Sequence, residues 1–232
     1  MTRAAATTPP ALVFDLDGTL VDSAPDIGVA INKVLREDRR PVLDPATVIS
    51  FVGDGAARLV QRAFAASGPV PHGTVLDTLL TRFMTHYHAA PATLTVAYPD
   101  VDRVLAQLKQ AGHRLGVCTN KPDALIAAVL KGTGLAHHFD AAVGPDTVSR
   151  RKPDPAHLRA TLDAMSVAAG APAIMVGDSV NDVRAAHGLN MPCICVTYGY
   201  MHGRIEDWGA DLLIDRFADL PAALKRLTGA VS

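Results

Sequence analysis

From about residue 93 to the C-terminus the chain alternates between short apolar runs and amphipathic stretches of roughly 10 to 15 residues. The helical stretches are DVDRVLAQLKQAG, PDALIAAVLKGTG, PAHLRATLDAM, NDVRAAHGL and FADLPAALKRL. Between them lie HRLGVCTN, AAVG, AIMVGDS, CICVTYG and DLLI, with the length and apolarity of strands. Strands joined through helices make a parallel sheet covered on both faces. One further apolar run, Leu12 to Phe14, stands far upstream. Between it and the alternating part come four helical patterns and no convincing strand: SAPDIGVAINKVLRED with Ser23 as its start signal, DPATVISFVG, GAARLVQRAFAA and VLDTLLTRFMTHYHAA. The expected fold is therefore α/β: a Rossmann-like parallel-sheet core of residues 1–21 and 93–232, with a helical domain of residues 22–92 inserted after the first strand.

A parallel sheet gathers the carboxyl ends of its strands along one edge, where ligands bind. Polar side chains collect at those ends here. Asp15 and Asp17 follow the first strand, Thr119 and Asn120 follow LGVC, Lys152 sits in RRKPDP, and Asp178 and Asp182 sit in IMVGDSVND. Taken singly, each has an ordinary reading as a turn, a cap or a solvated charge. Converging on one edge, they need a partner, because two unit negative charges about 4 Å apart cost on the order of 4 kcal/mol at an effective dielectric near 20. Mg²⁺, a hard cation that takes oxygen ligands, offsets that repulsion. A phosphoryl substrate completes the balance, with Lys152 opposing its charge and the Thr119 hydroxyl binding its oxygens. The turn at Gly18 lets backbone amides approach closely.

The whole chain narrows the choice of partner. Its 232 residues carry 22 Lys and Arg against 23 Asp and Glu, leaving no basic excess for gripping nucleic acid. No run approaches the ~18 apolar residues of a membrane span. Residues 1 to about 10, MTRAAATTPP, read as a flexible leader without the apolar stretch of a signal peptide. Cys118, Cys193 and Cys195 fall in apolar stretches and read as reduced core thiols, which points to the cytoplasm. The expected partner is a small phosphorylated metabolite, met by a monomer or homodimer.

Four of these motifs, DLDGTLVDS, TNK, KPDP and GDSVND, in that order and with a helical insert after the first, resemble the haloacid dehalogenase superfamily of phosphatases. FVGDGAARLVQRAF, VGPDTVSRRKPDP and VTYGYMHG further resemble the phosphoglycolate phosphatase family within it. The resemblance implies that Asp15 is a nucleophile forming an aspartyl-phosphate, and that Asp17 protonates the leaving alkoxide and then takes a proton from water. It implies that Asp15, the Asp17 backbone carbonyl and Asp178 hold Mg²⁺ with Asp182 orienting that shell, and that Thr119, Asn120 and Lys152 bind phosphoryl oxygens. A metal-bound Asp15 stays ionised, while Asp17, free of metal and beside other negative charge, can carry a proton. The helical insert is then a cap that closes over the site. A substrate with a second carboxylate calls for a cation from the cap, for which Arg58, with Arg62 behind it, is the candidate; a solvated helix face is the alternative for both.

The remaining candidates read as ordinary structure. His86, His88, His137 and His138 read as surface histidines, His202 as an ordinary loop histidine with a place bordering the site as the alternative, and Trp208 as packing. Two other functions stay open on this scaffold. One is a sugar-phosphate mutase that passes the phosphoryl group to a sugar hydroxyl. The other is a phosphatase for another small ester, such as a muramic acid 6-phosphate derivative. A non-catalytic binding module has no need of both a nucleophile and an acid.

Overall fold

The computed structural model describes residues 9–200 and 203–229; His202 and most of the leader lie outside the described residues. In chain order the elements are β1 (Ala11–Phe14), β2 (Val21–Asp22), α1 (Ala24–Glu37), α2 (Pro45–Ile49), α3 (Ala56–Ala65), α4 (Gly73–Ala89) and β3 (Val96–Ala97). There follow α5 (Val101–Gln110), β4 (Leu115–Cys118), α6 (Asp123–Gly132), β5 (Ala141–Val143), α7 (Pro155–Ala164), β6 (Ala173–Gly177), α8 (Val180–His187), β7 (Cys193–Val196), β8 (Leu212–Ile214) and α9 (Leu220–Thr228).

Six strands form one parallel sheet in the order β5-β4-β1-β6-β7-β8. The four central ones are buried along their whole length, which is why each reads as an unbroken apolar run and not as an alternation. Side chains of opposite pleat feed two cores. Leu12 and Phe14 pack with Val117, Val176 and Phe217 on one face, while Val13 and Met175 pack with Leu158, Val183 and Trp208 on the other. Trp208 is thus packing, as its sequence context suggests.

Strand β1 sits between β4 and β6, where the order of the sheet reverses, and such a reversal leaves a crevice at the strands' carboxyl ends. Phe14 is level with Val117 on one side and Val176 on the other. The next few residues, Asp15, Thr119 and Asp178, therefore leave the sheet together.

Helices α1 to α4 pack mainly on one another, α1 against α4 and α2, and α3 against α4. Their apolar faces, Ile31 and Leu35 of α1, Val60 and Phe64 of α3, and Phe83 of α4, make a third hydrophobic cluster that also takes in Leu125 and Tyr200 from the sheet-bearing part. The chain leaves through β2 and returns through β3, which pair antiparallel with Val21 opposite Ala97. Asp26 of α1 ties the return segment down by accepting from the amides of Leu94 and Thr95 and from the Thr95 hydroxyl.

The start of α1 departs from the expected cap. Ser23 holds the cap position, but its hydroxyl donates to Asp17 Oδ1 at 2.5 Å instead of capping the helix. Tyr200 takes over that task. Its hydroxyl accepts from the Ser23 and Ala24 amides at 2.7 and 2.8 Å and donates to Asp22 Oδ1 at 2.6 Å.

Candidate active site

The loop after β1 turns sharply, with the Gly18 amide donating to Val21 O at 2.9 Å, so that amide serves the turn and not a ligand. Gly18 has φ of +88°, and a Cβ there would lie 2.1 Å from Asp178 Oδ2; a Cβ on Gly199 would lie 2.4 Å from Asp178 Cβ and 2.5 Å from Gly18 O. Two loops thus close on Asp178 at distances that no side chain allows.

Asp15, Asp178 and Asp182 offer carboxylate oxygens all within 4.8 Å of one another, and all three residues are buried. Lys152, 2% exposed, stands among them, with Nζ 2.7 Å from Asp182 Oδ1, 3.0 Å from Asp15 Oδ1 and 2.5 Å from Cys118 O. Burial pulls the Lys152 ammonium down, but Asp15 and Asp182 outweigh it and leave its pKa raised. Burial pushes the Asp15 carboxyl up to about 6, with Lys152 opposing and Asp182 and Asp17 reinforcing the rise. Burial, then Asp15 and Asp182, also raise Asp178 well above the ordinary carboxyl range. One ammonium does not neutralise three buried carboxylates, and an all-oxygen donor set with surplus negative charge fits a hard divalent cation.

The three carboxylates are not equivalent. Both oxygens of Asp182 are occupied: Oδ1 by Lys152, and Oδ2 by the Ser179 amide and hydroxyl in a capping box that opens α8. Asp178 accepts from the Thr19 hydroxyl and the Tyr200 amide. Asp15 Oδ1 accepts from the Leu16 amide at 2.7 Å, while Oδ2 has no hydrogen-bond partner among the described residues; Asp15 is one of the residues lining the cavity.

That cavity has about 40 Å³ of space that a water centre can occupy, lined by Asp15, Asp17, Thr119, Asn120, Lys121 and Tyr87 and walled by Ile27, Val52, Leu59 and Phe83. Thr119 Oγ1 accepts from the Lys121 amide. The Asn120 side-chain amide braces two loops by donating to Gly53 O and Lys152 O, and its buried Oδ1 has no partner. The amides of Asp17 and Asn120 donate to no acceptor among the described residues, which leaves them for an oxygen in the cavity.

Asp17 has different neighbours from those expected. Its carboxylate takes the Ser23 hydroxyl and the Lys121 ammonium, at 3.0 Å for Oδ1 and 3.2 Å for Oδ2. Lys121, 4% exposed, also meets the Tyr87 hydroxyl of α4 at 2.5 Å. The site therefore holds a second buried lysine that strand-end reasoning passes over, although it stands in the TNK motif. Four other residues escape a sequence reading: Thr19, Tyr87, Tyr200 and His157. Burial, then Lys152, push the fully buried His157 imidazole down to about 4; its Nδ1 accepts from the Lys152 amide, fixing the loop that carries the lysine.

Arg58 does not reach the cavity. Helix α3 buries Leu59, Val60, Ala63 and Phe64, which turns Arg58 to solvent, where it donates to Gln61 at 3.2 Å; Arg62 pairs with Asp54. The solvated-face alternative holds for Arg58. Among the histidines, His86 pairs with Glu37, whereas His138 is buried, with Nε2 2.7 Å from Asp102 Oδ1, and so is not the surface residue expected. Asp102, His137 and His138 bring ligand-type atoms within 4.8 Å of one another, far from the strand-end cluster in sequence. The three cysteines are buried and free, and no helix among the described residues is long and apolar enough to cross a membrane.

Comparison with known proteins gives the chain a family. The profile of the haloacid dehalogenase-like hydrolases matches residues 12–196. The phosphoglycolate phosphatase of Rhodospirillum rubrum is 45% identical over 216 residues, covering 91% of this chain and 89% of that protein. A solved structure of a predicted phosphoglycolate phosphatase from Haemophilus somnus superposes with a TM-score of 0.86 at 30% identity, over 94% of this chain and 99% of that one. CbbY from Rhodobacter sphaeroides, solved in complex with phosphate, gives 0.76 at 25% identity, over 91% of this chain and 96% of that one. By these matches the chain belongs to the haloacid dehalogenase-like hydrolases, and it is a phosphoric monoester hydrolase.

Proposed function

We propose that the protein hydrolyses 2-phosphoglycolate to glycolate and phosphate, in the cytoplasm and with Mg²⁺ as its metal. The observation that carries this reading is a cavity whose wall presents both Asp15 and Asp17, closed over by apolar side chains from α1, α3 and α4. The curated relatives carry the name of that activity.

In this reading the unpartnered Asp15 oxygen attacks phosphorus. The bond from phosphorus to the ester oxygen breaks, and glycolate leaves with the proton that Asp17 donates to its alkoxide. Asp17 then takes a proton from water, whose oxygen attacks the phosphorus of the aspartyl-phosphate, releasing inorganic phosphate and restoring Asp15. The amides of Asp17 and Asn120 and the Thr119 hydroxyl hold the phosphoryl oxygens, and Lys152, behind Asp15, opposes their charge without touching them. Asp15, the Asp17 carbonyl and Asp178 are the residues that would hold Mg²⁺, with Asp182 fixing Lys152; when bound, the ion supplies positive charge against the phosphoryl oxygens. Helices α1 to α4, residues 22–92, act as the cap that excludes water from the aspartyl-phosphate.

A screen of phosphate esters, including glucose 1-phosphate and a muramic acid 6-phosphate derivative, tests this directly. The expected result is the highest kcat/KM on 2-phosphoglycolate, abolished by EDTA and restored by MgCl₂. Isomerised sugar phosphate without release of phosphate would refute it.

Metal binding also has a stability signature. A carboxyl whose folded pKa exceeds its unfolded value binds more protons in the folded state, so stability falls as pH rises through that window. For Asp15 the window runs from the ordinary 3.8 to about 6. Metal-free protein is therefore expected to lose stability above pH 4, and millimolar MgCl₂ to raise Tm by several degrees at pH 7.5 but hardly at pH 4.5. Thermal melts at the two pH values, with EDTA or MgCl₂, read the difference. An equal effect at both would count against the three carboxylates as the metal site.

A further inference from the structure

Among the residues that line the cavity, Lys121 is the one cation. Lys152 lies behind Asp15 with its ammonium engaged by three acceptors, and Arg58 faces solvent. The Lys121 ammonium is held from two sides, by Asp17 of the β1 loop and by Tyr87 of α4, whose ring it also overlies at 4.7 Å. Burial depresses its pKa, but Asp17 and Tyr87 outweigh that and keep it charged. It has three donors, and its longer contact, 3.2 Å to Asp17 Oδ2, is the one most easily given up to a ligand.

Position then decides which part of a substrate it meets. If Asp17 protonates the leaving oxygen, the Lys121 ammonium stands about one hydrogen bond further along the leaving group. In 2-phosphoglycolate the carbon bonded to that oxygen carries the carboxylate. We propose that Lys121, steadied by Tyr87, selects substrates with a carboxylate next to the ester carbon, in the role expected from the sequence for Arg58. This rests on the proposed phosphatase reading. A charge-assisted contact inside a largely apolar pocket discriminates strongly, because a substrate lacking the carboxylate leaves the buried donor short of a partner.

The alternative is that Lys121 only positions Asp17, in which case its loss slows every ester alike. The test compares kcat/KM for 2-phosphoglycolate with that for 2-hydroxyethyl phosphate, which replaces the carboxylate by a hydroxymethyl group of similar size. Both rates are expected to fall in Lys121→Met because Asp17 also loses a partner; the readout is their ratio. That ratio is expected to drop about 10- to 100-fold, the range for a hydrogen bond to a charged group. Tyr87→Phe leaves the lysine in place, guards against a misfolded Lys121→Met, and is expected to lower the ratio about 2- to 10-fold. A wild-type ratio near one would bring down the substrate assignment and this inference together. A high wild-type ratio that both variants retain would overturn the inference alone.

Discussion

Asp15→Asn is expected to reduce phosphate release from 2-phosphoglycolate by about 10⁴-fold or more, the scale seen when a nucleophile is removed from a preorganised site. Asn is nearly isosteric and its side-chain oxygen can still accept from the Leu16 amide, so the β1 loop keeps its shape. What is lost is the carboxylate's negative charge at the cavity wall. The same change relieves a buried charge: the Asp15 pKa of about 6 records that the folded protein favours the neutral carboxyl. Metal-free Asp15→Asn is therefore expected to melt at or above the wild-type temperature at pH 7.5, although Lys152 gives up one of its three partners. Inactivity together with an undiminished Tm separates lost chemistry from lost folding. Turnover near the wild-type rate would refute Asp15 as nucleophile.

The strand-end cluster was legible because a fully buried parallel strand leaves an unbroken apolar run, and the first polar residue after each run marks the sheet's edge. That reasoning places Asp15, Thr119 and Asp178 one after another along adjacent strands, and the register of β1 with β4 and β6 puts them together. It fails where a side chain's role depends on the docking of a distant element. Lys121 lies two residues past Thr119, but its meaning comes from Tyr87, which reaches it only because α4 packs above the sheet edge. Tyr200 caps α1 from 176 residues away in sequence, and that frees the Ser23 hydroxyl for Asp17. Arg58 is a different kind of miss. The apolar spacing of Leu59, Val60, Ala63 and Phe64 already defines the buried face of α3, and Arg58 does not share it. Charge expected at the substrate outweighed helical periodicity, and periodicity was the better guide.

Lys152→Met removes the ammonium but keeps most of the buried stem, so its effect isolates charge from packing. In the metal-free protein it leaves Asp15, Asp178 and Asp182 within 4.8 Å of one another with no cation among them. Breaking a buried ion pair by removing one partner costs about 3–5 kcal/mol. At about 2–4 °C per kcal/mol for a chain of this size, Tm should fall by roughly 6–20 °C at pH 7.5. The sign of the pH dependence follows from the carboxylates left behind. The folded pKa values of Asp15 and Asp178, already raised, climb further without the ammonium, so the folded state of the variant binds still more protons, and its deficit against wild type widens as pH rises above about 4. Below that value Asp15 and Asp178 become protonated in both states and the two proteins should converge. Added MgCl₂ should restore part of the lost Tm by supplying positive charge, but not activity, since Lys152 also opposes the charge of the phosphoryl group. A Tm within 2 °C of wild type at pH 7.5 would mean that the three carboxylates share protons instead of relying on Lys152. The lysine's place in the site would then be catalytic alone, with no part in holding the acidic cluster together.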